Sequence, residues 1–316
     1  MRRIAALLSV PLLAVLALAG CGSSTSSSSP GVSVKGQFGS NPTVSIPKLT
    51  AGKSLAVKTL VKGTGPALTK SDAFVGNYAV YIWSGKTSKL AESTFASKSP
   101  ALFSGQLLPG LETALQGKKM GSRVLAVIPP AQGYGKTGNS QAGVTANDTL
   151  VFVVDMIKEF ANNASASGSK VSSGGGSLPS VTAKAGAAPT ITIPKSAKPP
   201  SGLVTKTLIK GSGPAVTKGQ TVVSQYVGVI WRTGKVFDSS WSRAQPFGFT
   251  IGATPSQVIT GWDKGLIGQT VGSRVLLIVP PADGYGKTGS SQAGIKGTDT
   301  LVFVVDILGA ISPSTS

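Results

Sequence analysis

The sequence predicts an α+β fold: two copies of one unit, each a curved antiparallel sheet wrapped around a single short helix. Three observations predict it. The segments on either side of a mid-chain Ser/Gly-rich stretch match one another in order. Strand-like runs dominate, among them VVSQYVGVIW (222–231), RVLLIVP (274–280) and TLVFVVDIL (300–308). One short segment, VITGWDKGLIG (258–268), reads better as a helix, with Gly268 placed to end it. With 41 Gly and 20 Pro the chain has the turns that such a β-rich fold needs, and its 316 residues suffice for two domains with separate cores.

Taken from the N-terminus, residues 1–20 read MRRIAALLSVPLLAVLALAG, two Arg before an apolar run that ends in small residues. This is the layout of a secretory signal peptide. The only Cys, Cys21, follows Leu18–Ala19–Gly20, a tetrad that resembles the bacterial lipobox. The resemblance implies that Cys21 is lipidated and becomes the mature N-terminus; the plainer reading is a cleavable signal with an incidental Cys. Acyl chains on Cys21 contribute about 0.8 kcal/mol per buried CH₂, enough in pairs for stable anchoring. The localisation expected is the extracytoplasmic face of a bacterial cell membrane. Residues 21–41 are Ser/Gly-rich and read as a flexible tether, and 161–188 as a flexible linker between folded units.

The folded units are expected at 42–160 and 189–311. PTVSIPK (42–48) recurs as PTITIPK (189–195), and KTLVKGTGPALTK (58–70) as KTLIKGSGPAVTK (206–218). GSRVL (121–125) recurs at 272–276, GYGKTG and SQAG within 133–143 recur within 284–294, and TLVFVVD (149–155) recurs at 300–306. A repeat of this length is a duplicated domain, too long for a solenoid unit. The pairing is uneven in one place. VFDSSWSRAQPFGF (236–249) answers to LAESTFASKSPALF (90–103), where two of the four rings are gone, and the first copy has lost five residues between Phe103 and Leu107.

Composition excludes much. With no His and one Cys, histidine base catalysis and internal disulfides are ruled out, and a zinc site of the usual Cys/His type lacks its ligands. The formal charge is +19, and 28 basic against 11 acidic residues remain once Arg2 and Arg3 leave with the signal. The basic residues are scattered Lys rather than a clustered stripe, so no nucleic-acid groove is expected. The charge favours solubility and weak attraction to anionic surfaces.

The second copy, over roughly 203–308, carries QYVGVIWRTGKVFDSSWSRAQPFGF, VITGWDKGL, VGSR, PPADGYGKTG and TLVFVVDIL in that order. This ordered set resembles the FKBP-type peptidyl-prolyl isomerases. The resemblance implies a half β-barrel closing on a short helix. It implies Trp262 as pocket floor, with Tyr226, Phe237, Phe247, Val258, Ile259 and Phe303 as walls. It implies that the Tyr285 hydroxyl and the Ile259 backbone N–H bond substrate carbonyls. Asp238, oriented by Arg243, is implied at the pocket edge, and Ile295 at the rim. One departure is the loop after the GYG turn, where Thr288–Gly289–Ser290–Ser291–Gln292 lacks the His often found in the family.

The chemistry suits these residues. An X–Pro amide must lose its resonance to twist, across a barrier of ~18–20 kcal/mol. The twisted amide is less dipolar, so an apolar, water-poor pocket favours it. No acid, base, nucleophile, cofactor or metal is called for. The substrates implied are proline-containing segments of exported proteins, and macrolides are implied as ligands. The first copy keeps Tyr78, Tyr134 and Phe152. It has Ala91 for Phe237, Glu92 for Asp238, Ser97 for Arg243, Ala101 for Phe247, Leu111 for Trp262 and Val144 for Ile295. Its fold is expected to persist around a degraded pocket, and activity is expected in the second copy. Alternatives are a non-catalytic surface lipoprotein that holds a peptide, partner or macrolide, and a general holdase. The sequence leaves open whether the copies touch.

Overall fold

The computed structural model describes residues 31–171 and 177–313. The first copy runs β1 (Ser33–Lys35), β2 (Thr43–Ser45), β3 (Ala56–Val61), β4 (Ala73–Ser84), β5 (Thr87–Ser93), α1 (Thr94–Ser97), β6 (Ala101–Phe103), α2 (Pro109–Leu115), β7 (Arg123–Ile128) and β8 (Thr149–Phe160). Then follow β9 (Gly168–Lys170), β10 (Ser180–Thr182), β11 (Thr190–Thr192), β12 (Val204–Gly211), β13 (Thr221–Ile230), β14 (Val236–Ser239), β15 (Phe247–Thr250), α3 (Thr260–Leu266), β16 (Arg274–Val279) and β17 (Leu301–Ile311). The first sheet has the order β3-β7-β8-β4-β5 with β6 added beside β4. The second has β14-β13-β17-β16-β12-β9 with β15 beside β13. All pairings are antiparallel.

Each sheet is buried on both faces, which explains why TLVFVVDIL reads as an unbroken apolar run rather than an alternating one. On β17, Leu301, Phe303, Val305 and Ile307 point to the side covered by α3, where Trp262 and Leu266 join them. Val302 and Val304 point the other way, with Leu276 and Ile278 of β16. The α3 backbone stops where the sequence reading placed it: Ile267 is the cap and Gly268 follows with φ +85°.

Both stretches read from composition as flexible contain ordered strands. Part of the tether, β1, pairs with β2, and the hairpin sets Val34 and Val44 against Trp83, Leu125 and Val127. Within the linker, β9 extends the second sheet along β12, and β10 pairs with β11 so that Val181 and Ile191 cover Val302 and Val304. The cause is the apolar outer face of each sheet, which needs a cover. Buried charge reinforces it. Arg123 binds Asp155 at 2.6 Å with neither side chain exposed. Its remaining N–H groups donate to the Gly36 carbonyl at 2.9 Å and the Ser40 carbonyl at 2.6 Å, while the Gly39 N–H donates to Asp155 at 2.6 Å. In the second copy Arg274 binds Asp306 at 2.6 Å, and the Ala166 N–H donates to the same carboxylate at 3.0 Å. Ser/Gly-rich chain is held here because it carries the carbonyls and amides that these ion pairs require.

The copies are in contact. Val75, Leu102, Ile157 and Phe160 of the first pack with Val223, Leu308 and Ile311 of the second. The Phe160 ring lies over Gly309, where a Cβ would come within 2.7 Å of it. Thr221 donates to the Pro100 carbonyl at 2.7 Å, and Gln225 to the Asn162 carbonyl at 2.6 Å. Residues 1–20, read above as a signal, and Cys21 lie outside the described residues.

Candidate functional site

The second copy encloses a small pocket of about 130 Å³. Strands β13 and β17 bring Tyr226 and Phe303 to its base, and the one-residue register shift between β13 and β14 turns Phe237 and Asp238 towards it. β15 contributes Phe247, and the segment before α3 contributes Val258 and Ile259. Trp262 forms the floor at 3% exposure. Its indole meets the rings of Tyr226 at 5.1 Å, Phe249 at 5.4 Å and Phe303 at 5.4 Å, all at steep angles. Edge-to-face packing of this kind holds an aromatic cluster rigid.

Phe237 stands edge-on to Phe303, with centroids 5.6 Å apart. It fits because the facing residue is Gly228, whose added Cβ would lie 2.8 Å from the Phe237 Cζ. The first copy has Val80 at that register position.

The polar edge is a triad. The Tyr226 hydroxyl donates to one Asp238 oxygen and Arg243 donates to the other. Arg243 also donates to the Tyr226 hydroxyl at 2.8 Å. Ser240 holds the turn between Asp238 and Arg243 by accepting from the Tyr226 backbone N–H at 2.8 Å and donating to Gln225. Burial, then the bond to Asp238, pushes the Tyr226 phenol above its ordinary pKa. Burial and the Asp238 charge also raise that of Tyr285, which lines the mouth. The Ile259 N–H has no protein acceptor among the described residues.

Nine expected residues therefore line one cavity, and Arg243 acts from outside it through Asp238. Ile295 does not reach the rim. It is 4% exposed within the core, because the turn that pairs it with Ser290 folds it inward. Sequence reasoning missed Gln257, which lines the pocket while its side-chain oxygen accepts from the Thr250 N–H at 2.8 Å. It also missed Phe249 beneath the indole, although Phe249 alternates with Phe247 along β15. Among the described residues no group of three His, Cys, Asp or Glu could hold a metal.

The first copy has at the same place a larger cleft of about 840 Å³. Leu111 replaces the indole floor, and Ala91 and Ala101 leave the walls bare. The shortened segment still lines it, through Gln106 and Leu107. Tyr78 is held by Glu92, whose hydrogen bond adds to burial in raising the phenol pKa. Ser97 offers Glu92 no charge and instead donates to the Thr94 carbonyl at 3.2 Å.

The model of the FKBP-type peptidyl-prolyl cis-trans isomerase family matches this chain twice, over residues 67–157 and 213–308. The chain belongs to that family. Its two FKBP domains are the two copies described above. An FK506-binding protein of Streptomyces anulatus is 44% identical over 111 residues, 35% of this chain and 88% of that protein. A probable FK506-binding protein of Corynebacterium glutamicum is 40% identical over 111 residues, 35% of this chain and 89% of that protein. The crystal structure of the three FKBP domains of wheat FKBP73 aligns over 81% of this chain and 94% of that chain, at 21% identity and a TM-score of 0.32. By family and by the names of its relatives, the protein is a peptidyl-prolyl cis-trans isomerase.

Proposed function

We propose that the isomerase activity resides in the second domain and acts on X–Pro bonds of proteins outside the cytoplasmic membrane. The observation that carries this is the contrast between the small, ring-lined pocket around Trp262 and the much larger cleft around Leu111, which lacks two of the wall rings and the indole. A proline ring entering the second pocket displaces water and leaves its amide in an apolar environment, where the twisted, less dipolar form is favoured. The Ile259 N–H and the Tyr285 hydroxyl are placed to bind the flanking carbonyls. Asp238, with each oxygen already engaged, presents a fixed negative edge to the twisting amide. The same pocket suits a macrolide, and the first relatives carry FK506 binding in their names. A non-catalytic binding role remains the second reading, favoured by the persistence of the first domain without the ring-lined pocket.

The site is tested in the full chain with Phe237→Ala combined with Asp238→Ala and a short X–Pro peptide. Turnover should fall to the uncatalysed rate. Turnover that survives would place catalysis in the first domain.

The proposed location rests on residues 1–21, an apolar signal followed by the only Cys. Cys21→Ser should release the protein from membranes. Fractions must be washed at high salt to screen the positive charge. Membrane retention after that wash would refute the lipid anchor. Among the described residues no helix is long and apolar enough to cross a membrane.

A further inference from the structure

The first cleft and the second pocket are not separate holes. Between the domains lies a third cavity of about 560 Å³. It shares Tyr78 and Glu92 with the first cleft, and Phe247 and Gln257 with the second pocket. The three form one continuous groove from the first cleft to the isomerase site.

The lining changes character along that groove. The first cleft has an apolar depth formed by Val80, Ile82, Leu111 and Phe152. The middle is lined by hydrogen-bonding side chains, among them Ser97, Ser99, Gln245 and Gln257, by the Phe247 and Phe249 rings, and by one charge of each sign, Glu92 and Arg243. The Gln257 amide nitrogen and the Gln245 side-chain amide have no protein partner among the described residues. Such a lining suits a ligand that offers one N–H and one C=O at every step whatever its sequence, which is extended polypeptide. Glu92 is the one acid of that lining, and Arg243, its one base, is already engaged by Asp238 and the Tyr226 hydroxyl. The domain of Glu92 supplies it no guanidinium because Ser97 stands where Arg243 stands in the second, and among the described residues Glu92 forms no ion pair.

We infer that the first domain is the client-holding end of this groove. An unfolded polypeptide lies extended along it, an apolar side chain in the first cleft, a basic side chain near Glu92, and its proline in the second pocket. Loss of the rings from the first domain then widens a pocket for one proline into a berth for varied side chains. The inference rests on the assignment of catalysis to the second domain.

The test uses the full chain and peptides with a single X–Pro bond. They lengthen from about 4 to about 20 residues on one side of the proline or the other, a reach of up to ~70 Å when extended. In one direction KM should fall about tenfold, 1.4 kcal/mol, once the peptide reaches the first cleft, with kcat unchanged. Ala91→Trp, which plugs that cleft, should abolish the fall in KM with length, and Glu92→Lys should shrink it most for peptides carrying Lys or Arg. A KM independent of length in the wild-type chain overturns the inference, as does an undiminished length effect in Ala91→Trp. The wild-type series decides alone if Ala91→Trp does not fold. Failure of the underlying assignment has a different signature: no turnover of the shortest peptide, or turnover that survives loss of Phe237 and Asp238.

Discussion

Gly228 and Phe237 face each other so closely that a Cβ on the glycine would lie 2.8 Å from the ring carbon Cζ. In the first domain both have changed, to Val80 and Ala91, so a ring restored at 91 would meet a valine where Phe237 meets a glycine. Restoring Ala91→Phe, Ser97→Arg, Ala101→Phe and Leu111→Trp without Val80→Gly should therefore overpack the site, at about 1–3 kcal/mol, and give no binding of a proline peptide. Adding Val80→Gly should recover stability and some binding. Conversely, Gly228→Val should displace Phe237 and lower both melting temperature and turnover. Thermal melts and peptide kinetics on the full chain check this, and a fully active Gly228→Val would refute it.

The polar edge and the ring cluster should separate experimentally. Asp238 and Tyr285 are partly exposed, with the Asp238 side chain at 39%. Tyr285→Phe should cost about fivefold in kcat/KM and Asp238→Ala about 10- to 100-fold, the worth of a neutral and a charged hydrogen bond, with little change in melting temperature. Trp262→Leu, which copies the first domain, should lose turnover and about 2 kcal/mol of stability because the indole is buried.

Strand-rich runs and the helix ending at Gly268 were legible because short runs dense in β-branched residues and a glycine placed to end a helix are local signals. The ring set was legible as an ordered motif. The strap hairpins were not. Ser33–Lys35 and Thr190–Thr192 have no strong pattern of their own and are ordered by the sheet faces they cover. A signal existed, since each copy carries one Arg and one Asp inside otherwise apolar strands, in GSRVL and TLVFVVD, and a buried pair of charges needs further partners. Ile295 was misplaced because an apolar residue beside a loop glycine looks the same in sequence whether its turn folds inward or outward.

Those ion pairs should carry stability. Asp155→Ala and Asp306→Ala each leave a buried guanidinium without its carboxylate, at a cost of about 3–5 kcal/mol. The segments that bond these carboxylates should loosen at the same time, seen as faster proteolysis within 31–45 for Asp155→Ala and within 161–171 for Asp306→Ala. A loss of stability with no change in cleavage would mean that these segments are held by their other contacts alone.

Tyr226 sets an alkaline limit. The folded state binds its phenolic proton more tightly than the unfolded chain does, because of burial and the bond to Asp238. The stability linked to it is thus complete below the ordinary phenol pKa of about 10 and is lost as pH rises from there towards the raised folded value. Melting temperature should fall more steeply above pH ~10 in the wild type than in Tyr226→Phe. Parallel curves would count against it.

The contact between the domains pairs like with like. Val75 and Val223, Ile157 and Leu308, and Phe160 and Ile311 hold equivalent places in the two repeats, so each repeat shields the other's version of one apolar face. In a single-domain protein that face would be the self-complementary patch of a twofold dimer. Here the covalent chain supplies the mate at high effective concentration. Severing the chain between the repeats would unmask both halves of the patch at once, and the freed pieces should associate, with themselves or with each other, in proportion to concentration. Their elution volume on sizing columns should shift with dilution while that of the intact chain stays fixed.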